Sequence, residues 1–382
     1  METLKFLQLY WWALISLLGA LLVFMMFVQG GQTLLYNVAK TEEQKQRVIS
    51  LLGHKWEITF TTLVTFGGAA FASFPLFYST SFSGAYWLWM LILFLFVIQA
   101  VSYEFRNKQS NLLGKNCYDV FLFLNGSLGT ILLGVAVATL FSGGAYYMDK
   151  MNITDLSSNV ISRWANGWMG LDAIANPFNI LLGLVLFFGT RTLGTLYLLN
   201  SIESESDGQM KELSGRCNRS FKVSSILFVL LFVCFLVALL LRKGYGVDPS
   251  TGVISEVEYK YLFNMIELVW PLVILLAGVV LVLAGIGARL LGAKNSFLYR
   301  YGFYVTGFGT VLAVWPILIC AAYNNTAYFP SLVSVQDSLT LYNSSSSLFT
   351  LKVMSYVSLA IPFVVAYIAV VWKKMSNHNN KY

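Results

Sequence analysis

The chain has 382 residues, 57% of them hydrophobic and only 11% charged, with a formal net charge of +7. A soluble domain carries about a quarter charged residues, so a large soluble domain is excluded. The basic residues sit between apolar blocks rather than on one soluble face, which excludes a nucleic-acid-binding module.

The apolar blocks are about 20 residues long, enough to cross a bilayer as a helix. They predict an all-α polytopic membrane protein, one integral-membrane domain over residues 1–382 with nine spans. In chain order these are Phe6–Val28, Trp56–Tyr78, Tyr86–Val101, Tyr118–Phe141, Pro177–Leu199, Val223–Leu241, Leu262–Ala288, Tyr301–Ala322 and Val353–Trp372. The first is too long for a signal-peptide core, carries Trp11 and Trp12, and is followed by no A-x-A site, so it reads as a span. The third is short unless it borrows flanking residues.

Lys and Arg set the orientation. Alternating the spans places seventeen of them on one side, against seven on the side of the N-terminus. The N-terminus is expected outside and the C-terminus in the cytoplasm of a prokaryotic inner membrane. Two long loops then lie outside, Ser142–Asn176 and Asn324–Lys352. The second holds "LYNSSSSLF" and is expected to be ordered over the outer face. The charged stretch Ser201–Lys222 reads as a solvated cytoplasmic connector.

One internal echo is visible. Val64, Thr65, Gly68, Ala72, Phe74 and Pro75 match Val305, Thr306, Gly309, Ala313, Trp315 and Pro316 at one constant offset. Either small residues simply recur among membrane helices, or the second and eighth spans form a parallel repeat. Gly126, Gly129, Gly134, Gly278 and Gly285 are suited to close helix packing.

Cys117, Cys217, Cys234 and Cys320 form no C-x-x-C, so disulfides and c-type haem attachment are not expected. The only histidines, His54 and His378, lie outside the spans. Haem iron usually takes His, Cys or Met, so no haem-binding residue is assigned here, and no metal site. Walker A, H-E-x-x-H and G-x-S-x-G motifs are absent, which leaves no case for an ATPase, protease or lipase.

Ionisable groups at membrane depth or at its boundary are candidates for function. Glu57, beside Trp56, opens the second span. The helix dipole alone accommodates a carboxylate there. Equally, desolvation would make it a proton carrier, with Trp56 narrowing solvent access. Glu104 and Arg106 close the third span and point to different sides of a helix, as helix-end anchors or as partners of other elements. Arg191, inside the fifth span, needs a carboxylate, carbonyls or water. It reads as a packing or lipid-headgroup device, or as a partner for an anionic cofactor edge. Glu267 falls in the outer half of the seventh span, four residues before Pro271, either half-buried or facing the interface.

The stretches "HKWE…LVTFGGAAFASFPLFYSTSFSGAY", "YEFRNK", "NPFNILLG" and "PSLVSVQDSLTLYNSSSSLFTLKVM", in this order and with the Trp11–Trp12 pair, resemble subunit II of the cytochrome bd-type quinol oxidases. The resemblance covers the chain from the first span to the last. It implies a complex that oxidises quinol and reduces dioxygen to water. The haems, of types b and d, and the quinol-oxidising loop belong to a homologous subunit I. Subunit II is then the haem-free mate, built as two four-helix bundles plus one peripheral helix. Trp56 and Glu57 match a Trp-acid pair at the mouth of a proton path between the subunits. Some members hold a structural quinone, and the presence of a small single-span third subunit stays open. The chain departs from the family pattern at "WEITFTT", where Glu57 replaces Asp and Thr62 stands for a second Trp bordering a proposed oxygen route. It departs also at "QGGQ" (Gln29 to Gln32), which replaces an acidic D-G-F-D, and at Gln99, where some relatives carry Arg. Two rival readings are a secondary transporter, with charges inside the membrane and broken helices, and a pure scaffold in which Glu57 only caps a helix.

Overall fold

Prolines decide where the long apolar blocks break. In the computed structural model, which describes residues 2–152, 160–203, 207–293 and 295–378, seven helices are long and apolar enough to cross a membrane. They are Glu2–Gln32, Tyr86–Phe105, Lys115–Ser142, Pro177–Ile202, Gly208–Leu240, Trp270–Leu290 and Gly302–Ala322. Two bent pairs, Trp56–Ser73 with Pro75–Ser83 and Leu348–Ser358 with Ile361–Met375, raise the number to nine if each counts as one span. The all-α expectation therefore holds for the membrane part. Lys294 and Lys381, part of the charge asymmetry, lie outside the described residues, as does the side chain of His378.

The second span differs from its expected straight course to Tyr78. It stops at Ser73, and Pro75–Ser83 turns away by 118°. Pro75 lacks an N–H and drives the preceding residue out of the helical region; Phe74 sits at φ −132°, ψ 68°. The freed carbonyls are not orphaned. Ser346 donates its N–H to Ser73 O at 2.8 Å and its hydroxyl to Ala72 O at 2.6 Å. Ser345 Oγ accepts from Gln8 at 2.7 Å, and Ser347 caps the ninth span. The Ser-rich loop is thus ordered, and its serines close this end of the bundle.

The seventh span is shorter than expected. Lys260–Leu268 is a separate helix, and the span runs Trp270–Leu290. Between them Val269 adopts φ 45°, a strained conformation for a β-branched residue, just before Pro271. Twenty-one residues span about 31 Å unaided, so the break lies at the end of the span, not at its middle. Glu267 therefore precedes the helix Trp270–Leu290 rather than lying within it. It is exposed in the last turn of the short helix and accepts from Asn324 Nδ2. The echo between the second and eighth spans does not extend to geometry: Pro316 sits inside a continuous helix, where Pro75 ends one.

The sixth helix is longer than expected, 33 residues from Gly208. Most of the supposed connector is nearly the first half of this helix, with Leu213, Cys217 and Phe221 buried on one face at i, i+4, i+8 spacing. A helix of 12 residues, Glu42–Gly53, also fills the loop before the second span. Thr41 and Gln44 form its capping box, and Glu42 and Glu43 favour its N-terminal dipole.

At the end opposite Glu57 the described residues form three antiparallel strand pairs: β1 (Tyr146–Met148) with β2 (Ser162–Trp164), β3 (Gly244–Val247) with β4 (Ile254–Val257), and β5 (Ala327–Phe329) with β6 (Leu339–Thr340). Isolated bridges Gly144–Ser331 and Gly246–Thr326 join them into one cap. All four cysteines are free.

The first span is central, packing against the second, fifth and eighth. Trp12 Nε1 donates to Leu318 O at 2.9 Å, and Trp11 Nε1 to Leu351 O at 3.2 Å. The ninth span is mostly exposed. Small residues allow the closest crossings: a Cβ at Gly134 would lie 2.6 Å from Gly183 Cα. Gly134→Leu is expected to lower stability by about 1–3 kcal/mol or more, seen as a depressed melting midpoint of the purified protein. An unchanged midpoint would mean that the fourth and fifth spans are not in contact there.

Candidate functional site

The amphipathic helix Glu42–Gly53, the start of the second span and the end of the third enclose an open cleft of about 330 Å³. Its lining includes Trp56, Glu57, Tyr103 and Glu104, with Gln46 and His54. Helix geometry explains the grouping. Trp56 and Glu57 occupy the first turn of one helix, and Tyr103 and Glu104 the last turn of a neighbour. Trp56 stacks flat on Tyr103, with ring centroids 5.8 Å apart and planes at 9°. Glu57 is exposed on the outer surface of this chain, beside that aromatic pair. Glu104 is exposed and pairs with Lys108 one turn on. Two candidate acids therefore face one solvent-open space.

Lys55, one residue ahead of the second span, is buried. Its Nζ donates to Trp372 O at 3.2 Å and lies 4.1 Å from the Trp372 ring centroid. Burial pulls its ammonium down to about 8. The folded state then binds fewer protons than the unfolded chain between pH 8 and the ordinary lysine range, so stability rises with pH across that window. The melting midpoint of the wild type is expected to gain on that of Lys55→Met from pH 8 to about 10.5. A difference independent of pH would contradict this placement.

Arg106 points away from Glu104, as helix spacing requires, into a buried ionic network. Its Nε donates to Asp119 Oδ1 at 2.7 Å, Nη2 to Asp119 Oδ2 at 3.4 Å and to Glu42 at 3.0 Å, and Nη1 to Gln46 at 2.9 Å. Lys45 Nζ reaches Asp119 at 3.1 Å. The side chains of Arg106 and Asp119 are both 0% exposed. Asp119 was missed in the sequence, although it is an acid inside a predicted span. The "TEEQ" capping signature that announces the network's third helix was missed as well.

Arg191 finds no carboxylate among the described residues. Its Nη1 donates to Thr33 O at 3.1 Å and Oγ1 at 2.6 Å, Nη2 to Ser220 at 3.1 Å and Nε to Ser224 at 3.2 Å. It is buried, and these bonds tie the first, fifth and sixth spans together, in line with the packing reading. Another buried cation, Arg289, forks onto Glu203 at 2.7 and 2.9 Å.

A haem needs an axial ligand within the membrane. His54, the one histidine whose side chain is described, is exposed at the rim of the cleft, and the described residues hold no group of three His, Cys, Asp or Glu side chains placed for a metal. The residues of the cleft do not fit a haem.

The fold and the cleft define a multi-pass helical membrane protein with two exposed acids, Glu57 and Glu104, lining one cleft at the helix ends. The chain belongs to the cytochrome bd terminal oxidase subunit II family, whose model matches residues 7–375. It is 27% identical to the probable cytochrome oxidase subunit 2 of Haemophilus influenzae over 96% of this chain and 92% of that one. It is 25% identical to the cytochrome bd-I ubiquinol oxidase subunit 2 of Escherichia coli K12 over 98% and 94%. With the cytochrome bd ubiquinol oxidase subunit 2 of Bacillus subtilis it shares 28% over 85% and 82%. The structure of bd oxidase from Geobacillus thermodenitrificans superposes with a TM-score of 0.59 at 14% identity, covering 98% of both chains, which supports the fold. The protein is thus a multi-pass bacterial membrane subunit of the bd oxidase family.

Proposed function

We propose that this chain is the haem-free subunit of a bd-type quinol:dioxygen oxidoreductase. It packs against a haem-bearing subunit I and takes up protons at Glu57 from the cytoplasm. Reduction of one dioxygen to two waters consumes four electrons, from two quinols, and four protons. The quinol site and haems of types b and d are on the partner, and the four protons need a path from the aqueous side. The observation that carries this reading is Glu57 at the first turn of the second span, exposed in a solvent-open cleft beside the stacked Trp56–Tyr103 pair. The cleft lies at the end richest in Lys and Arg, which supports a cytoplasmic position, with the C-terminus inside and the N-terminus outside. Spans one to four and five to eight are read as two bundles, with the exposed ninth at the periphery.

A secondary transporter would want its helix breaks at the middle of the membrane. The breaks at Phe74 and Val269 lie at span ends, and the 42° bend between Ser358 and Ile361 falls in the exposed ninth span, away from the bundle interior where a transport site would sit. Purification from native membranes through a tag on this chain tests the choice. The expected result is a haem-rich complex with quinol-driven oxygen uptake. A colourless protein active without a partner would overturn the assignment.

A further inference from the structure

A cluster of buried amides lies behind the cleft and plays no part in the reading above. Gln29 and Gln32 come from the last turns of the first span, Gln99 from the third, and Asn125 from a π-turn, Asn125–Gly129, in the fourth. All four side chains are 0% exposed. Gln29 Nε2 donates to Gln99 Oε1 at 3.3 Å, and Gln32 Nε2 to the Tyr103 hydroxyl at 3.0 Å. Five polar atoms are left without a partner among the described residues: Gln29 Oε1, Gln32 Oε1, Gln99 Nε2, and both Asn125 Oδ1 and Nδ2. Turning the amides over does not help. One amide–amide contact uses one oxygen and one nitrogen, so each partner keeps its other atom unsatisfied whichever way it faces. Buried polar groups left unpaired carry their full desolvation cost, and a native bundle does not bear several in one place.

The missing partner must be small, neutral, and able both to donate and to accept. The side chains are enclosed by this chain, so a second subunit, a lipid headgroup or a quinone ring has no access without parting the helices. At Gly126 the fourth and first spans are pressed together, with a Cβ there lying 2.4 Å from Gln29 O and 3.0 Å from Thr33 Cγ2. Thr33 in turn holds the guanidinium of Arg191, which opposes a metal cation or hydronium ion nearby. Water meets every requirement, making about three hydrogen bonds at such sites.

We propose that Gln29, Gln32, Gln99 and Asn125 hold a file of internal water that continues the Glu57 cleft into the first bundle, with Tyr103 between the two. Tyr103 lines the cleft and accepts from Gln32 on its inner side. Gln99 stands four residues before Tyr103 on the same helix, so the file reaches about 6 Å inward. The claim stands apart from proton uptake at Glu57: the water is either there or not, whatever Glu57 does.

The test is a water-resolving cryo-electron-microscopy map of the oxidase complex in lipid nanodiscs, wild type and Gln29→Leu/Gln99→Leu. The expected wild-type result is separate single-atom peaks within hydrogen-bonding distance of Gln29 Oε1, Gln32 Oε1, Gln99 Nε2 and the Asn125 amide. The peaks between residues 29 and 99 should vanish in the double variant. A wild-type map with no peak at these atoms, or with a continuous density of lipid or quinone there, overturns the proposal. So does a map in which these side chains take other rotamers and pair with protein groups, leaving none of the five atoms without a partner. The wild-type map decides even if the double variant does not assemble.

Discussion

Glu57→Ala is expected to cut quinol-driven oxygen consumption by about tenfold or more, the scale of losing a positioned proton-transfer group. The haem absorption spectrum and the yield of complex should be unchanged. Glu57 is exposed and opens a helix whose N-terminus also carries Lys55 and Trp56, so removing its carboxyl leaves no buried partner unpaired. Glu57→Asp keeps a carboxyl at the mouth of the cleft and should retain most of the activity. Glu57→Gln keeps the volume but not the titratable proton and should behave like Ala. This pattern separates proton uptake from helix capping, since Gln and Ala would then differ little from wild type in turnover.

The second large effect concerns folding. Asp119→Leu leaves the Arg106 guanidinium buried with one exposed carboxylate, Glu42, and amides in place of its doubly bonded acid. Breaking a buried ion pair by removing one partner costs about 3–5 kcal/mol. The expected outcome is loss of stable protein, or a melting midpoint lowered by many degrees. Asp119→Leu combined with Arg106→Met removes both charges and should recover much of that loss, because the pair must overcome its own desolvation. A double variant as unstable as the sum of the two singles would mean that the pair is not coupled.

Most of the membrane architecture was legible because a bilayer imposes one length on every crossing helix. The ends of the spans were not. Pro75 and Pro271 sit in unbroken apolar runs, and composition cannot say that one helix bends by 118° while Pro316 lies quietly inside another. The amphipathic starts of the sixth helix and of Glu42–Gly53 were hidden by charge, since hydropathy does not register a helix with one wet face. Of the site, Glu57 and Trp56 stood out by their place at a span boundary, but their pairing with Tyr103 is a tertiary fact. Asp119 escaped because one acid near a span end looks like an anchor until Arg106 is seen against it. The partnerless amides have no sequence signature at all, being defined by the bonds they do not make.

The account depends on the carboxyl of Glu57 receiving the protons that become water. Time-resolved proton uptake by the fully reduced complex in oriented liposomes, triggered with dioxygen, tests this most directly. Wild type should take up protons from the side bearing the C-terminus in step with oxygen reduction, and Glu57→Ala should lose or slow that phase by about tenfold or more. Uptake in Glu57→Ala at the wild-type rate, or from the other side of the membrane, would contradict the account.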